Sequence, residues 1–418
     1  MNKIVDIAQI EGRQRRAVRI AMLGLRGFPD VQGGVEKHAE KLSCALAELG
    51  CEVEAFVRSG YVAREHPARW RNIKLTRLWA PRISGAEAFV HTFLGVLRAA
   101  RTRPDVLHIH AIGPAFFTPL ARALGLRVVV TCHSRNYDHA KWGRTARAIL
   151  RFGERLGMRF ANGRIAVADG LGTDLSRRYR VPVSIIPNGI DQPRRTRSTA
   201  TLRTHGLTAN RYVLMVARID EDKRQLDLIA AFARLRMPGW KLALVGGADH
   251  AGAYARRVAE AAGMNPDIIM LGHQTGAALA ELYTHAGVFV LPSRFEGQPI
   301  AVLEAASYGL PVILSDIAAH RELALPRARY FAVGDVAALA RQLEEICAAP
   351  WNARADDADC AALMAEHDWH AIARRTLAVY CDALSGISSG RLAEGSLAPK
   401  IDELPPSSAV ERDRAVAT

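Results

Sequence analysis

The amino-acid sequence predicts an α/β protein with two doubly wound parallel sheets, and three observations carry that expectation. Short β-branched, apolar runs alternate with helix-period segments from residue 17 to residue 385, the pattern of strand, crossover helix and parallel strand. A turn and a basic stretch at 187–197 divide that alternation into two halves. At 418 residues the chain is long enough for two or three domains, each with its own core. Composition agrees, since 49% hydrophobic and 23% charged residues are ordinary for a globular chain. No uninterrupted apolar run reaches bilayer-spanning length, and Asp6 and Glu11 interrupt an N-terminal segment that does not read as a secretion signal. Six scattered cysteines without a Cys-x-x-Cys pair suit a reducing compartment and supply neither a disulfide framework nor a zinc site. A cytoplasmic location is expected.

Residues 1–16, with Arg13, Arg15 and Arg16, read as a disordered lead-in. A strand at 18–23 runs into a glycine-containing loop, and Gly33-Gly34-Val35-Glu36 opens a helix to about residue 49. A glycine pair before a helix lets backbone approach a ligand and presents free N–H groups. The spacing is not that of a dinucleotide-binding Gly-x-Gly-x-x-Gly loop. Strands at 53–57, 73–78, 105–109, 127–131, 164–167 and 183–186 then alternate with helices at 86–101, 114–124, 144–160 and 169–179. These elements make a first Rossmann-like domain, 17–190. His108 and His110 share one face of a strand end, while His133 starts a loop at a carboxyl end, the edge where open sheets bind ligands.

The second domain is expected over 191–366. It begins with a strand at 212–216, followed by Arg218 and Lys223 in one turn. A helix at 225–235 and a strand at 241–245 lead to Gly246-Gly247, and a strand at 268–271 ends at Gly272. After a helix at 275–285, the apolar run 288–291 reads as a buried strand, and 299–308 as a helix closed by Gly309. Glu296 thus lies in a loop at a strand's carboxyl end and Glu304 in the helix after it. A last helix at 369–384 follows, and 386–418 reads as a disordered tail.

Acceptor-only carboxylates such as Glu296 and Glu304 suit sugar or ribose hydroxyls. Arg218 and Lys223 offer a planar fork and a point charge, both common phosphate ligands. Asp357-Ala358-Asp359 lies far from these segments and reads as solvated surface, not a metal site.

Taken together, Pro292-Ser293-Arg294-Phe295-Glu296-Gly297, Glu304, Ser307-Tyr308-Gly309-Leu310-Pro311 and the Arg218/Lys223 turn resemble the signature segments of retaining glycosyltransferases of family 4. Gly33-Gly34-Val35-Glu36 is similar to that family's acceptor-side loop, and Pro187-Asn188-Gly189-Ile190-Asp191 to its interdomain hinge. The resemblance spans 17–385 and implies the GT-B architecture, two Rossmann-like domains across a cleft, with residues 367–385 crossing back to the first. It implies a nucleotide-diphosphate sugar as donor, a glycan or lipid-linked acceptor, and transfer with retention and without a metal or other cofactor, in bacterial surface polysaccharide synthesis. By the same resemblance Arg218, Lys223, Glu296 and His133 act at the reaction centre. Glu304, Gly297, Gly246 and Gly272 hold the donor, and Gly33, Gly34 and Glu36 lie on the acceptor side. The stretch from His133 to Trp142 departs from the bacterial polysaccharide transferases at Ser134, where they have Gly, and at Asn136, where they have Asp. A nucleotide-sugar epimerase of the same fold is the alternative within this class.

The net charge of +14 is uneven: residues 1–190 carry 31 basic and 15 acidic side chains, or +16, and the remainder 25 and 27, or −2. The basic half would face an anionic partner. Nucleic acid is disfavoured as that partner, because aromatic residues are only 6% and no stacking motif occurs. Arg144, Arg147, Arg151, Arg155 and Arg159 recur at helical spacing, which predicts a basic stripe facing an anionic membrane. Ile149, Leu150, Phe152, Leu156 and Phe160 would mostly pack against the sheet.

Overall fold

The structure, a computed structural model, describes residues 16–386 apart from 63–66, 82, 84, 140–141, 236, 250–251 and 349–356. The lead-in up to residue 15 and the tail from 387 lie outside the described residues, as does the side chain of Asp357.

The strands are β1 (Arg19–Leu23), β2 (Glu52–Arg58), β3 (Arg69–Trp70), β4 (Ile73–Leu78), β5 (Val106–His110), β6 (Val128–Cys132), β7 (Gly163–Ala166) and β8 (Ser184–Ile185), then β9 (Tyr212–Val216), β10 (Lys241–Val245), β11 (Ile268–Gly272), β12 (Val288–Leu291), β13 (Val312–Ser315) and β14 (Arg329–Phe331). The helices of the first half are α1 (Gly34–Glu48), α2 (Ala86–Thr102), α3 (Thr118–Ala123), α4 (Arg144–Phe160) and α5 (Asp169–Tyr179). Those of the second are α6 (Ala200–Thr204), α7 (Gln225–Phe232), α8 (Ala253–Gly263), α9 (Gly276–His285), α10 (Ile300–Ser307), α11 (Ala318–Arg321), α12 (Val336–Ala348), α13 (Asp357–Glu366) and α14 (Trp369–Ser385).

Two sheets form, ordered β3-β4-β2-β1-β5-β6-β7-β8 and β11-β10-β9-β12-β13-β14. Among the described residues every strand pairing is parallel except that of β3 with β4. Parallel sheets need both faces covered, which is why β6 reads Val-Val-Val-Thr-Cys and is buried throughout. On one face of the first sheet, Leu42 and Leu46 of α1 and Ile372, Val379 and Tyr380 of α14 pack against Ile20, Met22 and Val53. The other face holds Val96, Ala115, Met158 and Leu175 against Leu23, Phe56 and Val130. A third core builds the second domain around Tyr212, Val290 and Phe289. Each such side chain contributes about 1.5–3 kcal/mol by burial.

Both sheets reverse their winding beside their first strands, between β1 and β5 and between β9 and β12. Loops leaving the carboxyl ends of neighbouring strands diverge there and open a crevice. The chain carries its glycine-rich loop after β1, Arg218 after β9 and Glu296 after β12.

Two expectations are corrected. Residues 114–124 are not one helix but a 3-10 turn, Pro114–Phe117, followed by α3; Pro119 lacks an N–H and starts a fresh helix. In α4, Ile149, Phe152 and Phe160 do not pack on the sheet and are 48%, 49% and 44% exposed. Glycines seat the helix instead, chiefly on the segment that follows β5. A Cβ on Gly153 would stand 2.4 Å from the Ile112 carbonyl oxygen, and one on Gly157 2.8 Å from the Ala115 Cβ.

Candidate active site

The loop after β12 turns Glu296 inward, where its side chain is 8% exposed and accepts from Lys223 Nζ at 2.5 Å. Burial pushes this carboxyl up, but the charge of Lys223 and the hydrogen bond it donates bring it below the usual range. Glu296 is therefore an anion at neutral pH. Behind it, His320 is fully buried on α11 and donates from Nδ1 to the Ser315 carbonyl at 2.8 Å.

Glu304 lies in α10, where Tyr283 Oη donates to it at 3.1 Å and Lys37 of α1 reaches across from the first domain to pair with it. Burial would lower the Lys37 ammonium, yet Glu304, Asp191 and Glu40 raise it. Arg218 pairs with Asp249, whose other oxygen takes Arg26 Nη1 at 2.5 Å. Burial pushes the Asp249 carboxyl up, and the two guanidiniums hold it below its ordinary value.

On the first-domain side, Glu36 is buried and receives Arg26 Nε and Nη2, each at 3.0 Å. Expected as an acceptor contact, Glu36 has both oxygens engaged in orienting Arg26. Gly33 allows this arrangement: its φ is +146°, and a Cβ there would lie 2.0 Å from Glu36 Oε2. Gly34 starts α1 and is exposed. Next to the pair, Gln32 exchanges hydrogen bonds with Gly247 across the cleft, at 3.0 and 3.2 Å.

Gly297 meets a constraint that its own segment does not show. A Cβ at this position would stand 1.8 Å from the His133 carbonyl oxygen, so the two domains touch backbone to side-chain position here. Gly246 donates its N–H to the Gly272 carbonyl at 2.7 Å, and Gly272 ends the edge strand β11. Gly272 therefore braces the Gly246 loop.

His133 Nε2 lies 3.1 Å from His110 Nδ1, and the His133 ring meets that of His38 at 4.8 Å between centroids. His38 Nδ1 lies 2.8 Å from Asn188 Oδ1. The Asn188 amide NH2 donates to the Gln298 carbonyl at 2.9 Å, so its oxygen is left to accept, which makes His38 an Nδ1–H tautomer. Burial lowers His38 to about 4, and burial with the neighbouring imidazoles holds His110 and His133 well below the ordinary value. All three are neutral at physiological pH. Among the described residues they are the group whose ligand atoms converge enough for a metal ion, within 4.8 Å of one another. His108 lies against His110, 4.2 Å between ring centroids, but both its nitrogens are satisfied in the core, by Tyr380 Oη at 2.7 Å and Thr131 Oγ1 at 2.6 Å. Ser134 Oγ donates to Asn136 Oδ1 at 2.6 Å; an amide cannot serve as a proton acceptor base. His38, His110, Asn188 and Gln298 escaped the sequence-based site.

His139 Nδ1 of the first domain lies 2.5 Å from Asp222 Oδ2 of the second, and Arg294 holds the other oxygen. Burial raises the Asp222 carboxyl, but His139 and Arg294 bring it from 3.8 down to about 2. A depressed carboxyl stabilises the fold above its unfolded value and loses that contribution as pH falls through about 4 towards 2. The melting temperature of the wild type should fall more steeply across that window than that of Asp222→Asn. Superimposable curves would remove Asp222 from the acid response.

Two parallel-sheet domains with facing carboxyl-end loops, and carboxylates and cations between them, define a glycosyltransferase of GT-B architecture. The family profile described as "Glycosyltransferase Family 4" matches residues 32–194, and that described as "Glycosyl transferases group 1" matches 203–361. The chain belongs to family 4. It is 27% identical over 409 residues to the glycogen synthase of Mycobacterium tuberculosis, covering 88% of this chain and 96% of that protein. A GDP-mannose:cellobiosyl-diphosphopolyprenol alpha-mannosyltransferase of Komagataeibacter xylinus is 29% identical over 290 residues, covering 67% and 72%. Among solved structures, sucrose-phosphate synthase of Thermosynechococcus elongatus superposes with a TM-score of 0.74 at 22% identity, covering 88% of this chain and 99% of that one.

Proposed function

We propose that the protein moves a sugar, with retention at the anomeric carbon, from a nucleotide-diphosphate sugar held by the second domain to an acceptor hydroxyl on the first. One observation carries this reading: Arg218, Lys223, Glu296 and Glu304 all follow β9 and β12, the strands where the second sheet reverses its winding. The diphosphate takes Arg218 from Asp249 and Lys223 from Glu296. Glu296 is then free to accept from hydroxyls of the donor sugar, and Glu304 from those of the ribose. His133, as a neutral imidazole, orients a donor-sugar or acceptor hydroxyl, and the Gly33-Gly34 edge lies on the acceptor side.

The bond between the anomeric carbon and the diphosphate oxygen breaks toward the two cations, which stabilise the charge as it develops. The acceptor oxygen attacks the same face, and its proton passes to the departing phosphate oxygen. Arg218 and Lys223 supply the charge that a metal would otherwise bring, and no cofactor is required. The likeness to an enzyme named for a polyprenol-diphosphate acceptor supports a glycan or lipid-linked acceptor in bacterial surface polysaccharide synthesis, with the enzyme at the inner face of the plasma membrane. No helix among the described residues is long and apolar enough to cross that membrane.

Thermal denaturation with UDP, GDP, dTDP and ADP sugars tests the donor class, because a ligand at about 100 times its Kd adds roughly 2.7 kcal/mol. Glu304→Ala should raise the Kd of the stabilising donor about 10- to 100-fold with little change in saturated turnover, as expected for a hydrogen bond to a charged group made equally in ground and transition states. No shift with any of the four sugars would overturn the donor assignment.

A further inference from the structure

The geometry points to a docking face for an anionic lipid bilayer on the outer side of the first domain, built by α2, the 3-10 turn Pro114–Phe117 and α4. This extends the membrane-side location proposed above, and its test uses no turnover, so the two can fail separately.

The face is apolar where a soluble surface is normally polar. Phe89, Phe93 and Leu97 on α2 are 42%, 40% and 37% exposed, and their spacing of four puts them on one stripe. On α4, Ile149, Phe152, Leu156 and Phe160 form a second stripe at spacings of three and four. The two stripes join through aromatic contacts, Phe89 to Phe116 at 5.1 Å and Phe116 to Phe152 at 5.9 Å between ring centroids. The glycine contacts of α4 explain the exposure: the helix seats through Gly153 and Gly157, so its large side chains point outward. Contiguous exposed aromatic groups of this kind mark a binding surface.

Charge decides what binds there. Beside the apolar stripe of α4 run Arg144, Arg151, Arg155 and Arg159, all exposed. Each of the two helices carries a single carboxylate, and both are buried: Glu87 pairs with Arg58, and Glu154 with Arg178 and Tyr179. The face therefore presents arginine and aromatic groups with no exposed acid on either helix. That combination fits a bilayer interface, with rings at the acyl boundary and guanidiniums on lipid phosphates. The expectation of a purely basic stripe is thus too narrow, because apolar insertion supplies a part that salt does not screen.

The test is co-sedimentation with vesicles of mixed phosphatidylglycerol and phosphatidylcholine, and of phosphatidylcholine alone, at low and physiological salt. The wild type should pellet with the anionic vesicles. Arg151→Gln, Arg155→Gln and Arg159→Gln together should weaken binding at low salt about a hundredfold, at roughly fivefold per charge, and less at physiological salt, where the screening length is about 8 Å. Ile149→Ser with Phe152→Ser should weaken binding about tenfold or more per side chain at both salts. If the apolar pair lowers the melting temperature, the arginine set, whose side chains are all exposed, carries the decision. Failure of the wild type to pellet, equal pelleting of the wild type and the arginine set at low salt, or equal binding to neutral vesicles would overturn the assignment. So would a concentration-dependent dimer that Ile149→Ser and Phe152→Ser abolish, which would give the face to a second copy of the chain.

Discussion

Lys223→Ala and Arg218→Ala are each expected to lower kcat by about two orders of magnitude or more at saturating donor. The cations meet a diphosphate whose negative charge grows as the sugar departs, so their contribution is larger in the transition state than in the bound donor. The two variants should differ in stability. Lys223→Ala leaves Glu296 buried without its closest cation, and breaking a buried pair costs about 3–5 kcal/mol. Arg218→Ala leaves Asp249 still bound to Arg26 and should melt close to the wild type. Steady-state kinetics with parallel melting curves separate these effects, and wild-type turnover in both variants would sink the reaction-centre assignment.

Gly297→Ala should cost about a hundredfold in kcat/KM while leaving the melting temperature near that of the wild type. The added methyl would lie 1.8 Å from the His133 carbonyl oxygen and 2.9 Å from its carbonyl carbon. Those atoms are backbone of the residue directly after β6, a strand paired on both sides in the sheet, and cannot yield as a flexible side chain would. The domains must move apart instead. A displacement of about 1 Å between reacting groups is enough for a loss of that size, whereas neither domain core is touched. Unaltered kcat/KM in this variant would show that catalysis does not need this closed contact.

The parts of the site legible in the sequence are those that a strand, a loop and a helix place locally. Glu296 follows an apolar run and precedes a proline-started helix, and Arg218 and Lys223 follow another run, so their arrival at carboxyl ends needs no distant information. What the sequence hides is who meets whom. Lys37 lies 267 positions from Glu304, and His139 83 from Asp222, and no periodicity relates such pairs. The same limit explains Glu36, whose oxygens are taken up by Arg26 ten positions earlier, and Gly297, whose neighbour comes from the other domain. In α4 the hydrophobic spacing was visible, but the choice of glycine as the seating residue depends on how closely the Ile112 carbonyl and the Ala115 methyl approach.

The pairing of charges inside the cleft has a consequence for selectivity among cellular phosphates. Arg26, Lys37, Arg218 and Lys223 are matched there by Glu36, Asp249, Glu296 and Glu304, so the four cations project little field into solvent. A bare cationic pocket would draw in any polyanion, abundant nucleotides included, in proportion to charge. This cleft instead makes an entering diphosphate exchange partners with Asp249 and Glu296 before it gains anything. Only a molecule that also compensates the released carboxylates, by bringing hydroxyl donors to them, recovers what the exchange costs. A free nucleotide without a sugar leaves Glu296 uncompensated, so the neutral cleft favours a glycosylated nucleotide over its unglycosylated competitors.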